Sequence, residues 1–155
     1  MTQFRTMIPD LFSMTDRTCL ITGGSKGLGR HMAEAFLEAG ARRVYITARN
    51  REVVEATAEK LTAAYDGECI ALPGDLSTLE DVQQLAAEIA RRESHLDVLV
   101  NNAGRGWLAR LGELPEHGWD KVMDLNVKSP FFLTQELVPL LTNRASAEYS
   151  SSVIN

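Results

Sequence analysis

From Thr18 onward the chain alternates short runs of β-branched or apolar residues with longer stretches whose apolar positions recur every three or four residues. That alternation predicts βαβ units wound around a parallel sheet, hence an α/β fold. The short runs place strands over Thr18–Thr22, Arg43–Thr47, 69–72 and 97–101. In "DVLVN" apolar residues follow one another directly, as in strands covered on both faces. Among the helical stretches, Met32, Phe36 and Ala39 form a stripe that Gly40 closes as a C-terminal cap. Val53, Thr57, Leu61 and Ala64 form a second stripe, and "STLE" at 77–80 reads as a capping box ahead of Val82, Leu85 and Ile89. A long apolar helix is predicted over 116–141, bent near Pro130, where an N–H is missing. The closing "SSVIN" reads as the opening of a fifth strand, which leaves the 97–101 strand with an unpaired edge and the doubly wound sheet incomplete in its C-terminal half.

Composition narrows the class of protein. A chain of 155 residues, 45% apolar and 24% charged, suits one globular domain. Residues 1–16, with Pro9 and no clear period, are expected to form an extension, and residues 17–155 the domain. The net charge is −5, and the cations are scattered or locally paired (Arg42 with Arg43, Arg91 with Arg92), which argues against a nucleic-acid partner. No apolar run reaches the roughly 20 residues a membrane span requires, so a cytoplasmic protein without a membrane partner is expected. Cys19 and Cys69, in strand-like settings, read as buried free thiols. His31, His95 and His117 fall in separate elements without metal-type pairing and read as surface residues, so no metal site is expected.

The candidate chemistry lies in "CLITGGSKGLGR". Gly23, Gly27 and Gly29 sit between the first strand and the first helix with G-x-x-x-G-x-G spacing. Such glycines allow a tight turn and close approach of the main chain to a pyrophosphate, which the helix N–H groups then attract. A ligand-free strand-to-helix turn would use the same residues, but the placement makes this a Rossmann-type dinucleotide site. An NAD site places a carboxylate near the end of the second strand. Here "VYITARNRE" has Ala48, Arg49 and Asn50, with no acid before Glu52. Arg49 offers a bidentate partner for a 2′-phosphate and Lys26 a second cation, so NADP(H) is the expected cofactor. The alternative is that both are simply solvated surface charges.

"TGGSKGLG", "GDLS" at 74–77, "NNAG" at 101–104 and "LNVKSPFF" at 125–132 together resemble the short-chain dehydrogenase/reductase family, in the family's order and across 16–155. "WDKVMDLNVKSPFF", "LVPLL" and "RASAE" are most similar to its NADPH-dependent 3-oxoacyl reductases, including the one associated with rhamnolipid synthesis. The resemblance implies cofactor contacts from Gly23, Ser25, Lys26, Gly27, Leu28, Gly29, Arg49 and Asn50. It makes Asp75 the acceptor for the adenine amino group, with Leu76 beside the ring, and brings Asn102, Ala103 and Gly104 to the adenosine ribose. It makes Asn126 the asparagine whose main chain holds a water in the catalytic proton relay; a buried structural amide is the other reading of that residue.

The chemistry the resemblance implies is hydride transfer between the nicotinamide and a small-molecule carbonyl or alcohol, with a tyrosine, a lysine four residues beyond it and a serine acting in one step. None of Tyr45, Tyr65 or Tyr149 is followed at that spacing by a lysine, and the serine is expected beyond "VIN". The chain is therefore expected to be the N-terminal, cofactor-binding portion of an NADP(H)-dependent oxidoreductase, without turnover of its own and, at full length, a homo-oligomer. A non-catalytic NADP(H)-binding or interaction module is the alternative.

Overall fold

The computed structural model describes residues 12–146 and 149–155. Five parallel strands form one sheet in the order β3-β2-β1-β4-β5: β1 Thr18–Thr22, β2 Arg43–Thr47, β3 Glu68–Ala71, β4 Val98–Val100 and β5 Ser152–Ile154. Helices α1 Gly27–Glu38, α2 Arg51–Ala64 and α3 Leu79–Arg92 make the crossovers, followed by α4 Glu116–Met123, a π-helical turn Asp124–Lys128 and α5 Ser129–Thr142. This is a doubly wound Rossmann-type sheet. Its strand order reverses between β1 and β4, so a crevice opens beyond the carboxyl ends of those strands.

Two apolar layers follow from the alternation of side chains along each strand. Cys19, Ile21, Val44 and Ile46 face α1 and α2, where Ala33, Leu37, Val54, Ala58 and Leu61 are buried. Leu20, Tyr45 and Leu99 face α3 and α5, against Val82, Leu85, Ile89, Leu133 and Leu137. The stripe expected for α1 is displaced by about one residue, while that of α2 keeps Thr57 and Leu61 on the buried face and differs at its ends. Ala33 and Leu37, with Met32 and Phe36 at their flank, carry the α1 face; Val54 replaces Val53, which is exposed, and Ala64 is exposed too.

Other expectations shift in detail. The α3 cap is Thr78, whose hydroxyl accepts from the Asp81 N–H at 3.1 Å, rather than Ser77, which turns back to Asp75. The 116–141 helix is broken by the π turn just upstream of Pro130. The proline has no N–H for the carbonyl of Asn126 four residues earlier, and its ring crowds that carbonyl. The edge of β4 is not unpaired: Val98, Leu99 and Val100 register with Ser152, Val153 and Ile154. Three residues suffice because the Asn101 and Ser152 N–H groups extend the ladder to the Ile154 and Asp97 carbonyls at 2.8 Å each.

The first eleven residues of the expected extension lie outside the described part. Met14 packs on the α1–α2 layer and Thr15 bridges to Ala41. Both cysteines are buried and free. At the amino ends of the strands, the Glu93 carboxylate accepts from Arg42, Arg43 and the Tyr45 hydroxyl. Nearby, the fully buried Asp97 carboxylate accepts from the Thr18 N–H at 2.7 Å and the Tyr149 hydroxyl at 2.6 Å. His95, expected at the surface, is only half-buried there, its Nε2 3.7 Å from Asp97; sequence separation hid this cluster.

Candidate functional site

The crevice at the strand-order reversal is a cleft of about 800 Å³, within the usual range for ligand sites. Four strand ends build it. Gly23, Ser25, Lys26 and Gly27 follow β1; Thr47, Ala48, Arg49 and Asn50 come from the end of β2; Gly74, Asp75 and Leu76 follow β3; and Asn102, Ala103 and Gly104 follow β4, with Leu125 from the π turn.

The loop after β1 needs glycine for two separate reasons. Gly23 takes a φ of +69°, in the left-handed region. At Gly29 a side chain is excluded by proximity, because a Cβ there would stand 2.4 Å from the Gly23 carbonyl oxygen and 2.6 Å from Asn102 Nδ2. Asn102 holds this arrangement: its Nδ2 donates to the carbonyls of Thr22 at 2.8 Å and Gly23 at 3.2 Å, so the end of β4 is tied to the loop that leaves β1. The Ala103 N–H adds a bond to Thr22 Oγ1 at 2.9 Å, and Thr57 Oγ1 on α2 donates to the Ser25 carbonyl at 3.0 Å. The loop is thus fixed from both sides before any ligand arrives.

Helix α1 begins at Gly27 with no side-chain cap and no acid in its first turn. Its leading N–H groups, and the positive end of its dipole, are open to an anion. Lys26 and Arg49 are exposed, and among the described residues neither side chain makes a hydrogen bond or ion pair. The neighbouring Arg51, by contrast, is paired with Glu55 at 3.0 Å. Two unneutralised cations therefore line the cleft, Lys26 after β1 and Arg49 after β2, and no acidic residue lies between the end of β2 and Arg49. The cradle, the uncapped helix and these cations fit a phosphorylated dinucleotide.

Several expected residues have structural duties as well. Asn50 caps α2, its Oδ1 accepting from the Val53 N–H at 3.0 Å. Asp75 Oδ1 accepts from the Ser77 hydroxyl at 2.6 Å and its N–H at 3.1 Å, which fixes the carboxylate at the cleft mouth. Asn126 is exposed rather than buried. Its Oδ1 accepts from the Arg105 N–H at 2.9 Å and its Nδ2 donates to the Arg105 carbonyl at 3.0 Å, clasping the chain just beyond Gly104.

Three expected residues do not line the cleft. Leu28 is 70% exposed, since the first turn of α1 carries it outward; Gly29 is buried beneath the loop; and Asn126 stands behind Arg105. Thr47, Ala48, Gly74 and Leu125 line the cleft in addition to the expected residues. Among the described residues no cluster of His, Cys, Asp or Glu is arranged to hold a metal, and no helix is long and apolar enough to cross a membrane.

Comparison with known proteins agrees with this geometry. The family model described as short chain dehydrogenase matches residues 17–155. A rhamnolipids biosynthesis 3-oxoacyl-[acyl-carrier-protein] reductase of Pseudomonas aeruginosa is 48% identical over 144 residues, covering 93% of this chain and 55% of that protein. An NAD-dependent glycerol dehydrogenase of Listeria innocua is 35% identical over 124 residues, 80% of this chain and 47% of that one. The chain spans about half the length of the curated relatives it matches. Among solved structures, a Pseudomonas aeruginosa RhlG/NADP active-site complex superposes with a TM-score of 0.87 at 49% identity, over 93% of this chain and 55% of that one. A 3-oxoacyl (acyl-carrier-protein) reductase from Agrobacterium tumefaciens with NADP bound gives 0.81 at 27% identity, over 91% and 54%.

Proposed function

The chain belongs to the short-chain dehydrogenase family of oxidoreductases, and from that premise we propose that residues 17–155 are the NADP(H)-binding portion of a reductase that converts a carbonyl to an alcohol. One observation carries the choice of NADP(H). Lys26, on the loop after β1, and Arg49, after β2, both line the cleft with side chains unpaired among the described residues, and β2 is followed by Ala48, Arg49 and Asn50 where an NAD site would hold a carboxylate. A 2′-phosphate satisfies both cations, whereas a ribose hydroxyl leaves both unused. NADP in the two superposed relatives supports the same reading. The NAD-dependent glycerol dehydrogenase marks the alternative that Arg49 argues against.

In this reading the glycine loop and the open N-terminus of α1 bind the pyrophosphate. Ser25, Lys26, Arg49 and Asn50 surround the 2′-phosphate, and Asp75 and Leu76 hold the adenine. Asn102 positions the loop, while Ala103 and Gly104 bring the main chain against the ribose. Bound there, the reduced nicotinamide supplies a hydride to the carbonyl carbon. Asn126 serves the proton relay through its main chain, since Pro130 withholds the N–H that its carbonyl would meet in a regular helix. A 3-oxoacyl thioester is the proposed substrate class, supported by the name of the 48%-identical relative. Copies of the protein associate through the face bearing Trp119, Val127, Phe131 and Val138, all exposed. The 155 residues contain no tyrosine with a lysine four positions on, so they bind cofactor without turnover by themselves.

Arg49→Asp tests the assignment. It is expected to lower the preference for NADPH over NADH by at least ten-fold, the loss of one charge-assisted phosphate contact together with a new repulsion. An unchanged preference in a variant that still binds would sink it.

A further inference from the structure

We infer that Trp107 is a latch: seated on Gly118 of α4, it holds in place the segment 106–111 that leaves the rim of the cleft, and without that seat the segment swings free. The inference goes beyond the cofactor reading and does not depend on it.

Gly118 marks the seat. It is buried in α4, and its φ lies outside the left-handed region, so the backbone does not require glycine there. Within a helix glycine is less favourable than alanine. What excludes alanine is Trp107: a Cβ on Gly118 would stand 2.9 Å from Cδ2 and Cε2 of the indole and 3.0 Å from its Cγ. Those atoms belong to a rigid ring, which can make room only by moving off the helix. Two further side chains of α4, one turn apart, bracket the ring. The His117 ring meets the indole at 90° with centroids 5.0 Å apart, and Lys121 Nζ lies 5.6 Å from the indole centroid.

The segment has no second hold of this kind. Upstream it starts from a fixed point, because Asn126 clasps both the N–H and the carbonyl of Arg105, the residue after Gly104 of the cleft. Downstream, the Glu113 N–H closes a turn on the Arg110 carbonyl at 3.0 Å and Gly112 takes a φ of +85°, features internal to the loop. Between these points, no hydrogen bond or ion pair among the described residues involves 106–109. The apolar side chains around the ring are bare, with Leu108 and Leu111 100% and 105% exposed against 37% for Trp107. One ring therefore decides where the segment sits. A stretch tied by a single side chain, between a fixed point and a glycine turn, opens as a unit because no other contact has to break with it.

The test uses the full chain with Trp119→Phe, which leaves Trp107 as the sole tryptophan. Gly118→Ala, Trp107→Ala and the double variant are made in that background. Each is followed by trypsin cleavage after Arg110, by Tm and, where Trp107 is present, by its emission and acrylamide quenching. Gly118→Ala is expected to shift the emission to the red and to increase quenching. Both single variants should be cut after Arg110 roughly five-fold faster or more, with circular dichroism unchanged. Gly118→Ala should not raise Tm while Trp107 is present and should raise it in Trp107→Ala, where nothing opposes the better helix former. Unchanged emission and cleavage in Gly118→Ala, or an equal rise in Tm in both backgrounds, overturns the inference. If Gly118→Ala does not fold, Trp107→Ala decides: faster cutting after Arg110 at unchanged circular dichroism supports the latch, and an unchanged rate overturns it. None of these readouts involves a nucleotide, so the latch and the cofactor reading stand or fall separately.

Discussion

Replacing Asn102 by aspartate keeps the shape of the side chain and turns its donor into a charged acceptor. The amide nitrogen spans two carbonyls, Thr22 at 2.8 Å and Gly23 at 3.2 Å, and the missing side chains of Gly23 and Gly29 leave it the room to do so. At about 1 kcal/mol per neutral hydrogen bond, with a range of roughly 0.5–1.5, Asn102→Ala should lose about 1–3 kcal/mol. Asn102→Asp loses the same bonds and also sets a carboxylate against two carbonyl oxygens, so it should lose about 3 kcal/mol or more. The extra deficit carries a signature. Those carbonyls raise the folded-state pKa of the introduced acid above its unfolded value of about 3.9, so the extra deficit is full above the folded pKa. It shrinks as pH falls through that value toward 3.9, because the neutral acid can again donate to one carbonyl. Urea unfolding followed by circular dichroism from pH 4 to 7 measures both effects, and an NADPH titration at pH 7 should show weakened binding in each variant. Equal stability of Asn102→Asp and wild type at pH 7, or of the two variants at every pH, would refute the role assigned to this amide.

Further predictions address other parts of the fold. Gly29→Ala sets a Cβ against the Gly23 carbonyl and Asn102; it should abolish detectable NADPH binding by calorimetry and destabilise the chain by about 1–3 kcal/mol. The Glu93 side chain is 4% exposed, and burial raises its pKa, but hydrogen bonds from Arg43 and Tyr45 outweigh that and hold it below the usual carboxylate range. Its contribution is therefore present above the unfolded value of about 4.3 and is lost as pH falls through the folded one. Glu93→Ala leaves the buried Tyr45 hydroxyl without its acceptor while Arg43 keeps Glu68, so it should cost about 1–3 kcal/mol at pH 7 and flatten the acid limb of the stability curve, both read by urea midpoints. Burial pushes the thiols of Cys19 and Cys69 up to about 12, so neither should react with a disulfide reagent at pH 8 until urea unfolds the chain.

Local patterns made much of this fold legible. Thr18–Thr22 and Arg43–Thr47 are short apolar runs buried on both faces, and their bounds can be read directly. The face of α2 was harder to read, because Val53 and Val54 adjoin and only packing against the sheet decides which one turns inward. "LSTLE" offers two adjacent capping hydroxyls, and the tight turn from Asp75 to Ser77 selects Thr78. Pro130 announced a break in the helix but not that it falls upstream, as a π turn. In the site, the glycine spacing and Arg49 were visible because they are local. The clasp of Asn126 on Arg105 joins positions 21 residues apart and leaves no local signature in the sequence.

The most direct measurement is a calorimetric titration of NADPH and of NADH into residues 1–155, with circular dichroism on the same sample. The account predicts a folded chain that binds NADPH saturably and at least ten-fold more tightly than NADH, with the difference shrinking as salt screens Lys26 and Arg49. A folded chain that binds neither nucleotide, or binds both equally, would contradict it.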